Sequence, residues 1–94
     1  MLNTLESKLQ KKIIDILEKN NCYVVKTIVC NRSGIPDLLC CVNGKFVAIE
    51  VKTKTSESKL QEYNRQKIWN AKGYSFVFNE ENYKTELQKI ITHL

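Results

Sequence analysis

The sequence predicts an α/β (α+β) fold in which a single mixed β-sheet of about four strands is flanked by helices, in the order α-β-β-β-α-β-α. Three features carry that prediction. Apolar residues recur at helical spacing in three stretches, β-branched and aromatic residues cluster in runs between them, and Asn43-Gly44 separates two such runs as a two-residue type I′ turn would. At 94 residues the chain has room for one modest core, so residues 1–94 are read as a single domain.

Leu2, Leu5, Leu9, Ile13, Ile16 and Leu17 define an amphipathic first helix, with Asn3 and Glu6 at capping-box spacing and an end near Asn20-Asn21. Cys22 to Cys30 is rich in Val, Ile and Thr and predicts a strand, followed by the turn-forming Asn31-Arg32-Ser33-Gly34. Leu38–Val42 and Lys45–Val51 form the hairpin, and the polar stretch from Lys52 to Ser58 reads as an exposed loop. A second helix runs from about Glu57 to Lys72, with Leu60, Tyr63, Lys67, Ile68 and Ala71 along one side and Gly73 as its C-cap. Trp69 points away from that side, toward a surface that a second copy or DNA could use. Tyr74–Phe78 is a short aromatic strand reached by a crossover, and Asn79 caps a last helix carrying Tyr83, Leu87, Ile90, Ile91 and Leu94.

Composition bounds the function classes. Hydrophobic content of 43% with 27% charged residues is that of a folded chain rather than a disordered one. There is no apolar run of the roughly 18 residues a membrane span needs and no signal-peptide-like block, so no membrane role is expected and the cytoplasm is the expected compartment, a host's cytoplasm for a phage-encoded chain. Cys22, Cys30, Cys40 and Cys41 lack metal-ligand spacing and read as reduced thiols packed as small hydrophobes. A net charge of +5 and a pI near 9.1 favour a polyanionic partner.

The chemistry follows from the hairpin register. A two-residue turn at Asn43-Gly44 pairs Val42 with Lys45, and stepping back along both strands sets Asp37 opposite Glu50. Opposed side chains in an antiparallel pair lie about 4.5–5.5 Å apart on one face. Two full negative charges ~5 Å apart at an effective dielectric of ~20 repel by roughly 3 kcal/mol, so a proton, a cationic side chain or a hard divalent cation is needed between them. Lys52, two residues beyond Glu50, falls on the same face. That face also holds Ile35, Leu39, Cys41, Phe46 and Ala48, while Leu38, Val42, Val47, Ile49 and Val51 form the other. With both faces apolar, the strands are expected to be central and the charges to have a purpose other than solubility. Glu6 and Gln10 share the inward stripe of the first helix, where Glu6 serves either the cap or a site. Gln61, at capping-box spacing from Ser58, carries the same ambiguity.

Taken together, Glu6 with Gln10, Gly34-Ile35-Pro36-Asp37-Leu38-Leu39, Ala48-Ile49-Glu50-Val51-Lys52, Leu60-Gln61 and Gly73 form a pattern that resembles the virus-type replication-repair nuclease (VRR-NUC) domain of the PD-(D/E)xK nuclease superfamily. The resemblance covers the chain to about Phe78 and implies a restriction-endonuclease-like fold. It implies Asp37 and Glu50 as Mg²⁺ or Mn²⁺ ligands, a backbone carbonyl from Val51, and Lys52 orienting or activating water. Glu6 would assist at the edge of the site and Gln61 would support it from the second helix. The reaction implied is phosphodiester hydrolysis leaving a 5′-phosphate.

The favoured expectation is a metal-dependent, structure-selective DNA endonuclease, a homodimer resembling Holliday-junction resolvases and acting on branched or junction DNA. Flap or nick processing by the same chemistry is the alternative. A second is a non-catalytic nucleic-acid-binding module gripping phosphates with basic residues such as Lys26, Arg32, Lys54, Lys59, Arg65 and Lys67.

Overall fold

A computed structural model describes residues 4–53 and 57–94 of the chain. The elements follow the expected order: α1 (Thr4–Lys19), β1 (Tyr23–Lys26), β2 (Leu38–Val42), β3 (Lys45–Val51), α2 (Lys59–Asn70), β4 (Tyr74–Phe78) and α3 (Tyr83–His93). They build one four-stranded mixed sheet in the order β1-β2-β3-β4, antiparallel except for the β3–β4 pair.

Local chemistry sets the element ends. Asn43 and Gly44 both have positive φ, 51° and 81°, which is the type I′ geometry whose twist matches a hairpin. Asn21 takes the left-handed position after α1, with Cys22 N–H donating to the Leu17 carbonyl at 3.0 Å. Past α2 the left-handed residue is Lys72 (φ 74°) rather than Gly73, which lies one position further on. Gly73 N–H closes the helix end on the Ile68 carbonyl at 2.9 Å, and a side chain there would meet Ile68 and the Phe46 ring at about 3 Å. The glycine is thus required for close packing, not for the helix stop. At the start of the last helix Asn79 Oδ1 accepts the N–H groups of Glu81 and Asn82, capping the turn that leads into Tyr83.

β1 is shorter than the expected Cys22–Cys30. After Lys26 the chain leaves the sheet because Thr27 turns its hydroxyl onto the Pro36 and Asp37 carbonyls at 2.8 and 3.0 Å, tying off a loop that leaves Ile28 and Val29 exposed. The proposed Asn3–Glu6 capping box includes a residue outside the described segments.

One sheet face is fully covered. Leu38, Val42, Val47, Ile49 and Val51 pack with Leu9, Ile13 and Leu17 of α1 and Leu87 and Ile90 of α3 to form the core. Leu5, assigned to the inward stripe of the first helix, is exposed instead. The opposite face is covered only in part. α2 packs against β4, so Ala48 and Glu50 of β3 are buried while Phe46, Cys41, Val25 and Tyr23 remain exposed toward the β1 edge. On α2 the inward position belongs to Asn64, and Tyr63 and Leu60 are exposed. Trp69 guards the outer edge of the sheet: it sits edge-on to Tyr74 and Phe76 and donates Nε1–H to the Ser75 carbonyl at 3.2 Å, which blunts an otherwise open strand edge.

All four cysteines are free, Cys22 and Cys40 buried and Cys30 and Cys41 exposed. Burial pushes the Cys40 thiol up to about 12, so it behaves as an inert small hydrophobe. Among the described residues no helix is long and apolar enough to cross a membrane.

Candidate active site

The hairpin register places Leu38 opposite Ile49, so the next step beyond the ladder sets Asp37 beside Glu50, as the turn dictates. The ladder itself stops at Leu38. Asp37 uses its side chain where a strand would use its backbone: Oδ2 accepts the Val51 N–H at 2.8 Å, while the Asp37 carbonyl accepts from Thr27 N–H at 2.8 Å. In an extended residue the N–H and C=O project toward the same strand edge, so the Val51 carbonyl is also directed to the Asp37 side.

Glu50 is 3% exposed and faces α2. Its Oε2 accepts from Gln61 Nε2 at 3.0 Å and lies 3.7 Å from Lys52 Nζ. Burial raises the carboxyl to about 8, helped by the negative charge of Asp37 and by a hydrogen-bonding contact with it, against the lowering effect of Lys52. Glu57 adds a smaller push in the same direction. Half-buried Asp37 and Lys52 thus both meet the buried Glu50 carboxyl.

Gln61 closes the helix cap and also reaches Glu50. Its backbone N–H donates to Ser58 Oγ at 3.2 Å and its Oε1 accepts Ser58 N–H at 2.9 Å, completing the capping box, while its Nε2 reaches Glu50.

Two residues that local sequence features did not mark hold Asp37 in place. Thr27 fastens the Pro36-Asp37 backbone to the end of β1. Asn64, buried on α2, donates to the Ser33, Gly34 and Leu60 carbonyls at 3.0, 3.2 and 3.0 Å, pinning the loop before Asp37 to the helix. Gly34 permits this approach: its φ is 71°, and a Cβ there would come within 2.6 Å of Leu60 Cγ. A polar residue on the inward stripe of α2 was the available signal for Asn64.

The remaining candidates are more dispersed. Glu6 lies in the first turn of α1, partly buried, and Gln10 one turn on is 3% exposed, with no hydrogen-bond partner for its Oε1 among the described residues. Lys26, Arg32 and Lys59 are exposed. Arg65 is engaged by Glu57 through Nε and Nη2 at 2.5 and 2.8 Å, and Lys54 lies outside the described residues.

The donor chemistry fits a hard divalent cation. The adjacent Asp37 and Glu50 carboxyls retain a repulsion that Lys52 offsets only in part, and oxygen donors are what Mg²⁺ and Mn²⁺ take.

An antiparallel hairpin followed by a crossover helix and a parallel strand, with paired acids and a lysine at the hairpin's end, defines a nuclease-type α+β fold. Two solved structures share it. One, a "VRR_NUC domain", is 28% identical, with a TM-score of 0.78 over 97% of this chain and 98% of its own. The other, a "VRR_NUC domain protein", is 13% identical at the same TM-score over 98% of this chain and 92% of its own. No protein-family model and no curated protein matches the sequence. The chain has the VRR_NUC domain fold over nearly its whole length.

Proposed function

We propose that the protein is a metal-dependent, structure-selective DNA endonuclease, acting as a homodimer on branched DNA in the manner of a Holliday-junction resolvase. The observation that carries this reading is the buried Glu50 carboxyl set beside the half-buried Asp37 and 3.7 Å from Lys52 Nζ, an arrangement costly to a domain of this size unless it performs chemistry. Its VRR_NUC fold and net charge of +5 support DNA as the substrate.

Asp37, Glu50 and the Val51 carbonyl would hold Mg²⁺ or Mn²⁺. When bound, the cation supplies positive charge to the scissile phosphate and acidifies water. The chain's own residues do the rest. Val51 N–H fixes the rotamer of Asp37, and Gln61 fixes Glu50. Lys52 presents an ammonium group that orients the attacking water and stabilises charge gathering on the phosphate. Glu6 assists from the edge of the site, and Lys26, Arg32, Lys54 and Lys59 supply phosphate contacts. Arg65 contributes after exchange with Glu57. Exposed Tyr23, Val25, Ile28 and Val29 near the β1 edge offer apolar surface for the second copy.

Labelled four-way junction, flap, nicked, single-stranded and linear DNA incubated with Mg²⁺, Mn²⁺ or EDTA test the reading. Metal-dependent, symmetric incision of the junction that Asp37→Asn and Lys52→Ala both lose is the expected result. Flap or nick cutting instead would reassign the substrate, and junction binding without cutting under any metal would leave only a binding module.

A further inference from the structure

A cleft of about 580 Å³ opens on the half-covered sheet face, between α2 and the loop that precedes Asp37. Its volume is that of a small-ligand pocket, typically about 300–1,000 Å³. Leu39 and Phe46 belong to the sheet side and Ile35 to the loop side, and exposed Arg32, Lys67 and Lys72 bring its positive charge. No carboxylate lines it. The Phe46 ring is 49% exposed, with the close approach of Gly73 fixing it from one side.

The cleft and the acid pair lie along one strand face. Phe46, Ala48 and Glu50 alternate along β3, so at ~3.3 Å per residue the ring sits about 13 Å from the catalytic carboxyl, a reach of a few nucleotides. An occupant must be flat and apolar enough to stack on Phe46 and must carry negative charge for three cations.

We propose that this cleft captures one unpaired nucleotide of the strand being cut, its base on Phe46 and its phosphates on Arg32, Lys67 and Lys72. The proposal rests on the nuclease reading and deepens it. A continuous duplex keeps its bases stacked, whereas a branch point offers one at little cost, so base capture explains how a small domain selects branched DNA. The selectivity comes from the base, with the metal site unchanged.

The test places 2-aminopurine at successive positions around the branch of a four-way junction and follows its fluorescence with the Asp37→Asn protein in EDTA. A rise in fluorescence is expected at one position a few nucleotides from the cut, because the base leaves its neighbours in the DNA stack. Adding Phe46→Ala should abolish it and weaken junction binding about 5- to 150-fold, the range for losing one base–aromatic stack, while Phe46→Tyr restores the affinity and linear duplex binding stays unchanged. Because Phe46 is half-exposed, these variants should keep the wild-type melting temperature. The absence of a fluorescence rise at every position, or junction affinity indifferent to Phe46→Ala, overturns the proposal. So does sedimentation showing that Phe46→Ala splits a dimer, which would make the cleft a contact between copies. Cleavage by the wild type in Mg²⁺ is read separately. Cutting without the fluorescence rise removes the cleft and keeps the nuclease, and the rise without cutting does the reverse.

Discussion

Gln61 Nε2 donates to Glu50 Oε2 at 3.0 Å while Oε1 of the same amide accepts the Ser58 N–H at 2.9 Å. A helix cap and a contact to the buried Glu50 carboxyl therefore share one side chain, and a pair of variants separates them. Ser58→Ala should cost about 1 kcal/mol of stability by removing the cap hydroxyl, with cleavage retained. Gln61→Ala should cost a similar amount and also lower kcat/KM by about 10–100-fold, the usual effect of losing a residue that holds a ligand. Equal activity in the two variants, measured beside their melting temperatures, would reduce Gln61 to a cap.

Asp37 is a fold element as well as a site residue, since its Oδ2 takes the Val51 N–H at 2.8 Å. Asn can accept that N–H and Ala cannot. Asp37→Asn should therefore melt at or above the wild-type temperature, because it also relieves the repulsion with Glu50, and should lose about 10³-fold or more in cleavage. Asp37→Ala should lose the same activity and a further 1–3 kcal/mol or so of stability from the orphaned N–H. Calorimetric melts beside junction cleavage rates check both halves.

The contrast between Asp37 and Gln61 shows what the sequence makes legible. Asp37 and Glu50 come from one hairpin, and a type I′ turn with period-2 alternation fixes their relation by counting. Gln61 meets Glu50 only after a crossover helix has docked, a relation that spacing does not encode. The same distinction explains the exposed Phe46. Alternation shows that Phe46 and Glu50 share a face, but not that α2 would cover only one half of it. Strand propensity carries β1 on through Ile28 and Val29, whereas Thr27 forms a tertiary bond that ends the strand.

Gly34 and Asn64 touch neither acid directly but set where Asp37 begins. Gly34→Ala forces a Cβ into Leu60 at a φ of 71° and should cost about 1–3 kcal/mol. Asn64→Leu leaves the Ser33 and Gly34 carbonyls without this donor, at a similar cost. Both should reduce cutting beyond their loss of folded protein, because the loop that delivers Asp37 is released. Activity per folded molecule at a temperature well below each melting transition is the deciding measurement, and wild-type values there would disprove the link.

Glu50 makes the metal-free protein sensitive to alkali. Its carboxyl is raised from 4.5 to about 8 in the folded state, so between those values the folded chain holds a proton that the unfolded chain has released. This group's contribution to stability is therefore greatest below about pH 4.5 and declines as pH rises toward 8. Thermal melts in EDTA should show that decline, and Glu50→Gln should flatten it and raise the melting temperature at pH 8. Metal binding should show the opposite dependence, because a cation held by Glu50 would displace the same proton. Mn²⁺ affinity should rise by about tenfold per pH unit below 8 and level off above it, with close to one proton released per ion in calorimetry across buffers of different ionisation enthalpy. A pH-independent affinity would mean that Glu50 is already ionised beside Asp37, and that Lys52 alone balances the pair.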